Sequence, residues 1–144
     1  MARYQAEITV DASPEVAFAY LADLGNLSQW DSSVREATLI ERSGSGVGSR
    51  YDVTVGFYGK ALDAVYEIID FDESSRIAYT VDGKATGRTE IIVERRGDDT
   101  VIVYDSTIQM RGVARWLDRG LQVAYDGIGK NVEKGIAKQL RSAR

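Results

Sequence analysis

Residues 100–110, TVIVYDSTIQM, alternate from one side chain to the next; residues 113–140, VARWLDRGLQVAYDGIGKNVEKGIAKQL, do not. The first run has the period of a strand, with Ile102, Tyr104, Ser106, Ile108 and Met110 on one face. In the second, Val113, Leu117, Leu121, Ala124, Ile128, Val132, Ile136 and Leu140 recur at spacings of three and four and form one stripe. Arg115, Asp118, Arg119, Gln122, Asp126, Lys130, Glu133 and Arg141 lie mainly on the other side. A helix over about 113–141 would be roughly 40 Å long, enough to cross a whole sheet. Gly120, Gly127, Gly129 and Gly135 weaken it, together by roughly 3–4 kcal/mol of intrinsic helicity. Burying each large apolar side chain of the stripe contributes about 1.5–3 kcal/mol, so the helix is stable when it lies on a sheet. Gly120 and Gly135 fall on or beside the stripe, Gly127 near its edge and Gly129 away from its centre. Small residues there admit close packing or leave room for a ligand.

Upstream, the sequence supplies that sheet. Residues 3–11 alternate and place Ala6, Ile8 and Val10 together. Ser13-Pro14-Glu15 is a helix start, with an N-cap, a proline at the first position and an acid in the first turn. The helix runs to about Ala22, and Asp23 can cap a second one to about Trp30. Strands are expected at 34–42, 50–57, 60–71, 76–81, 87–95 and 100–110. Turn chemistry separates them at 43–49, Tyr58-Gly59, 72–75, Asp82-Gly83 and Gly97-Asp98-Asp99. Short turns pair consecutive strands antiparallel. With no repeat, linker or low-complexity stretch, 1–144 reads as a single α+β domain.

Composition narrows the chemistry. The chain has 44% hydrophobic and 28% charged residues, the balance of a globular protein. No stretch approaches the roughly 18 apolar residues of a spanning helix, so stable membrane insertion is not expected. No signal peptide is visible, and a cytoplasmic location is the default expectation. A net charge of −4 argues against nucleic acid as the main partner. Residues 111–144 nonetheless carry 8 basic against 3 acidic side chains, a basic element on an acidic body. With no His and no Cys, a Ser-His-Asp triad, a cysteine nucleophile and a typical zinc site are excluded. No metal or other cofactor is expected.

The order of elements resembles the helix-grip fold of the SRPBCC superfamily, which includes Bet v 1-like proteins, START domains and the bacterial polyketide cyclase/dehydrase family. The resemblance is carried by Ala12-Ser13-Pro14-Glu15-Val16, by Phe18-Ala19-Tyr20-Leu21-Ala22-Asp23-Leu24 and by Trp30-Asp31-Ser32-Ser33-Val34, with Gly48-Ser49-Arg50-Tyr51 and Gly97-Asp98-Asp99-Thr100 further on. It covers nearly the whole chain. It implies a seven-stranded curved antiparallel sheet, two short helices after the first strand, and a long C-terminal helix across the sheet. The loop Gly44–Gly48 resembles the family's glycine-rich loop. It is a poor phosphate cradle, because it joins two strands and does not open a helix, and it is expected to be a flexible hairpin near a cavity mouth.

Resemblance and alternation agree on an inward face. Its candidate ligand contacts are Tyr51, Val53, Phe57, Tyr66, Ile68, Tyr79, Ile91, Tyr104, Ser106 and Ile108 from the strands. Trp116, Leu117, Leu121, Ala124 and Ile128 come from the helix. Val55, Leu62, Ala64, Ile77, Val81, Thr89, Val93, Ile102 and Met110 share that face, and Thr89 could add a polar contact. A buried phenol needs a hydrogen-bond partner, so four inward tyrosines are awkward in a dry core and useful in a cavity; the alternative is that Tyr is simply a common strand residue whose hydroxyl reaches the rim. No inward carboxylate or lysine is expected; Asp105 would turn inward only if the last strand slipped by one residue. Trp30 is read as packing beneath the short helices and Asp31 as a helix end or turn cap. Apolar residues on the outer face (Val65, Ile69, Ile92, Val101, Val103) are explained by β-propensity, with a homodimer contact as the sharper alternative. Arg111, Arg115 and Arg119 form a row four apart, suited to pairing with the acidic sheet rim, to an anionic head group or to a membrane surface.

The leading expectation is a non-catalytic binder or carrier of a hydrophobic small molecule such as a lipid, quinone or polyketide. An aromatic polyketide cyclase or dehydratase using tyrosines and water is the alternative. A protein- or membrane-interaction module is a third reading.

Overall fold

The computed structural model describes residues 1–57, 59–110 and 118–141, with the side chains of Asp118 and Arg119 excepted. Seven strands form one antiparallel sheet: β1 (Ala2–Val10), β2 (Val34–Glu41), β3 (Arg50–Phe57), β4 (Lys60–Asp72), β5 (Arg76–Gly83), β6 (Ala85–Arg96) and β7 (Asp99–Met110). Their order across the sheet is β1-β7-β6-β5-β4-β3-β2, so a meander of six strands is closed by the first strand pairing with the last. Between β1 and β2 stand α1 (Pro14–Ala22), a 3₁₀ turn over 24–26 and a single-turn helix α2 (Leu27–Trp30). The long helix α3 spans Asp118–Gln139. The first part of the expected helix, 113–117, lies outside the described residues. The architecture is the α+β helix-grip fold.

Local chemistry sets the element boundaries as expected. Ser13 caps α1, its hydroxyl accepting from the Val16 amide at 3.2 Å, with Pro14 at the first helical position. Asp23 accepts from the Gly25 amide at 3.0 Å and starts the 3₁₀ turn. Strand β5 runs on to Gly83, so the hairpin to β6 turns more tightly than an Asp82-Gly83 turn would; Asp82 pairs with Thr86. Strand β4 bends at a register shift between Ile68 and Asp70, which lets one long strand follow the curve of the sheet.

Helix α3 packs mainly on the β1 edge and α2, and reaches the concave face through Tyr125 and Ile128. The Gln122 side chain accepts from the Arg3 amide at 3.0 Å and donates to the Arg3 carbonyl at 2.9 Å. The Tyr4 hydroxyl donates to Glu133. Gly129, expected away from the centre of the stripe, is buried against the Tyr4 ring, and Gly135 sits on the Trp30 carbonyl; a Cβ at either would collide. The reason is geometric: because α3 contacts an edge as well as a face, its buried arc is wider than its apolar stripe. Trp30 is fully buried beneath the short helices, its ring edge-on to Tyr104 at 6.5 Å. Among the described residues no helix is long and apolar enough to cross a membrane.

Candidate functional site

Strand register brings the polar side chains of the inner face into one row. Ser106 on β7 pairs with Tyr4 on β1 and Thr89 on β6, and Thr89 pairs with Tyr79 on β5. Side chains at paired positions share a face and touch, so Thr89 Oγ1 and Ser106 Oγ lie 2.8 Å apart. The Tyr125 hydroxyl comes down from α3 to hydrogen-bond Ser106 Oγ. One residue pair along, Tyr66 on β4 stacks on Tyr79, with centroids 5.6 Å apart and planes at 19°.

These groups surround a cavity of about 50 Å³ between the sheet and α3. Its walls include Phe57, Tyr66, Tyr79, Tyr104, Ser106, Ile108 and Ile128, as expected from sequence. Val55, Val81 and Thr89 of the same inward face line it too. The interior is nearly filled: such a volume has room for roughly three waters.

Other expected contacts stand elsewhere. Val53 and Ile91 are fully buried packing residues. Leu121 is buried with Phe57, Ala2 and Tyr125 in a small cluster at one end, and Ala124 packs on its margin. Tyr51 and Ile68 line a different space, an open cleft of about 880 Å³ between α1, the Gly44–Gly46 loop and Phe71. The glycine-rich loop therefore borders that cleft and not the mouth of the sheet–helix cavity. Its conformation needs glycine at Gly46, where φ is 86° and a Cβ would press on the Phe71 ring. Trp116, Leu117, Arg111 and Arg115 lie outside the described residues, as does the Arg119 side chain.

Four residues of the cavity wall were not expected there, Ser33 and Thr107 among them, and the other two bear on its chemistry. Tyr125 follows Leu121 by four positions and precedes Ile128 by three, a spacing that could have placed it on the buried arc. The other is Asp31, which corrects the expectation of an interior without a carboxylate. Asp31 does end α2, and its Oδ1 accepts from the Ser33 amide at 2.9 Å and the Ser33 hydroxyl at 2.6 Å. It is also only 9% exposed and faces the cavity together with Ser33. Asp105 stays on the outer face, paired with Arg3 at 2.8 Å.

Burial raises the Asp31 pKa above the ordinary carboxylate value, an effect the Ser33 hydrogen bonds partly offset. Burial also pushes up the phenols of Tyr66, Tyr79 and Tyr104, and takes Tyr125 to about 12, with the Asp31 charge adding to each. The four tyrosines therefore remain protonated at neutral pH, as hydrogen-bond donors and acceptors around one acid. Among the described residues no group of three or more acidic side chains could hold a metal ion.

The family described as "Polyketide cyclase / dehydrase and lipid transport" matches residues 1–142. Among solved structures, the protein TTHA0849 from Thermus thermophilus superposes with a TM-score of 0.82 at 18% identity, covering 96% of each chain. A START superfamily protein from Mycobacterium smegmatis gives 0.82 at 14% identity over 97% of each chain. The Zhui aromatase/cyclase from Streptomyces sp. R1128 gives 0.72 at 13% identity, covering 98% of this chain and 96% of that one. Identities this low establish a shared fold. No curated protein matches the sequence.

Proposed function

Because this chain belongs to the polyketide cyclase/dehydrase and lipid transport family, we propose that it binds a hydrophobic small molecule in the cavity between the sheet and α3. The observation that carries this reading is the wall itself. Tyr66, Tyr79, Tyr104, Tyr125, Thr89 and Ser106 turn toward an enclosed space that also has Phe57, Ile108 and Ile128 on it. A dry core has no use for so many hydroxyls, whereas a ligand with one or two polar atoms does. At about 50 Å³ the space is well below the roughly 300–1,000 Å³ of drug-sized sites. A small ligand, or the polar end of a larger one, fits as the walls stand. A lipid, quinone or polyketide-like chain requires α3 and the sheet to part.

The test is native mass spectrometry of the purified full chain, followed by titration with an apolar fluorescent probe. Co-purified or titratable ligand at one per chain is expected. A bare mass together with no probe binding would sink the reading. A second reading, a cyclase or dehydratase, is favoured by Asp31: a buried acid among phenolic donors is what proton transfer next to a carbonyl needs. On that reading Asp31→Asn abolishes turnover of a poly-β-keto substrate and leaves its binding intact.

A further inference from the structure

We propose that the ligand of this cavity carries a protonated nitrogen, and that Asp31 is its counter-ion. The inference rests on the cavity reading above and narrows it to small hydrophobic amines. Asp31 is more than nine-tenths buried and faces the cavity. Both of its hydrogen bonds, from the Ser33 amide and hydroxyl, go to Oδ1; among the described residues none reaches Oδ2. Among the described residues lining the cavity there is no Lys or Arg, so Asp31 has no opposite charge there. A buried carboxylate without a cation is unfavourable and takes up a proton instead. An ammonium group supplies the missing charge and displaces that proton.

The surroundings suit a cation better than a neutral carbonyl. The titratable groups that bear on Asp31 are Tyr66 from β4, Tyr79 from β5, Tyr104 from β7 and Tyr125 from α3. All are neutral at physiological pH, and their oxygens and ring faces attract positive charge. A ketone would be served by the hydroxyls alone and would leave Asp31 uncompensated. As the walls stand the free volume takes the ammonium end alone; a compact apolar body behind it lies against Phe57 and Ile128 where α3 and the sheet part.

The test is calorimetric titration of the full chain with a matched pair of probes, benzylamine and benzyl alcohol, which differ in charge far more than in shape. The wild type is expected to bind the amine roughly tenfold or more tightly than the alcohol. Asp31→Asn is expected to abolish that preference, bringing the two affinities together. In the wild type, amine affinity should fall as pH is lowered from about 8 to about 4 and Asp31 is protonated, while alcohol affinity stays flat. That pH series decides the matter if Asp31→Asn does not fold. Equal binding of both probes, or a flat amine profile, would overturn the cation proposal and leave the cavity reading standing. Binding of neither probe would overturn both.

Discussion

Asp31 links stability to pH in a direction opposite to that of most carboxylates. Its pKa is raised in the folded state, so the folded chain holds the proton more tightly than the unfolded one. Its contribution is therefore fully present below the unfolded value near 3.9 and is lost as pH rises through the folded value. Asp31→Asn is neutral at every pH, so the variant should gain stability relative to wild type as pH rises from about 4, then level off. Urea denaturation of both proteins across that range checks this; a difference that does not change with pH would mean Asp31 is not desolvated. Asp105 acts with the ordinary sign, since Arg3 lowers its pKa and its contribution is lost as pH falls. At Ser106 the expectation concerns hydrogen bonds. Ser106→Ala leaves the Thr89 and Tyr125 hydroxyls without their shared partner and should cost about 1–3 kcal/mol. Tyr125→Phe leaves Ser106 still bonded to Thr89 and should cost less, about 0.5–1.5 kcal/mol. Urea midpoints of the two variants give the comparison.

Helix α3 tolerates its glycines for two different reasons. Nothing lies within 4 Å of a Cβ at Gly127, whereas a Cβ at Gly135 would run into the Trp30 backbone. Gly127→Ala should therefore stabilise by about 0.5–1 kcal/mol, the helix-propensity gain alone. Gly135→Ala gains the same propensity and meets an overpacking cost of about 1–3 kcal/mol against a backbone that cannot rotate away. The net is destabilising, and thermal melts of the pair should move in opposite directions, by about 2–4 °C per kcal/mol. The contrast also shows what periodicity can and cannot reveal. The strands, the Ser13-Pro14 start and the helical repeat of α3 are local patterns, and among the described residues they stand close to where those patterns put them, the tighter β5–β6 hairpin apart. Which way α3 is turned is not local. Gly129 and Tyr125 are buried because Tyr4 and Ser106, more than a hundred and about twenty residues upstream, come to lie beneath them. An apolar stripe records only the aliphatic part of that arc.

The same distinction governs the candidate site as a whole. Alternation placed the tyrosines of β4, β5 and β7 on the concave face, but it could not separate cavity wall from filled core, so Val53 and Ile91 looked no different from Tyr79. Asp31 was hidden because a turn cap fully explained it locally; that it shares a cavity wall with Tyr125 and Ile128 of α3 depends on residues far away in sequence. Long-range closure therefore makes the site, and β1 is its keystone. As the first strand, β1 pairs with the last, and α3 holds it through Gln122, Tyr4 and Gly129. Both β1 and β2 are edges of one sheet, yet only β1 has a long helix fastened along it. Beyond Val34, β2 alternates exposed residues with the partly buried Ala37 and Leu39 and carries two register irregularities, with Ile40 52% exposed. Local opening follows such differences in burial. Amide hydrogen exchange read by mass spectrometry should show peptides from β1 exchanging with the central strands and peptides from residues 36–41 exchanging well before them. If β1 exchanges as fast as β2, α3 does not grip that edge, and the cavity it closes over Asp31 is open to solvent.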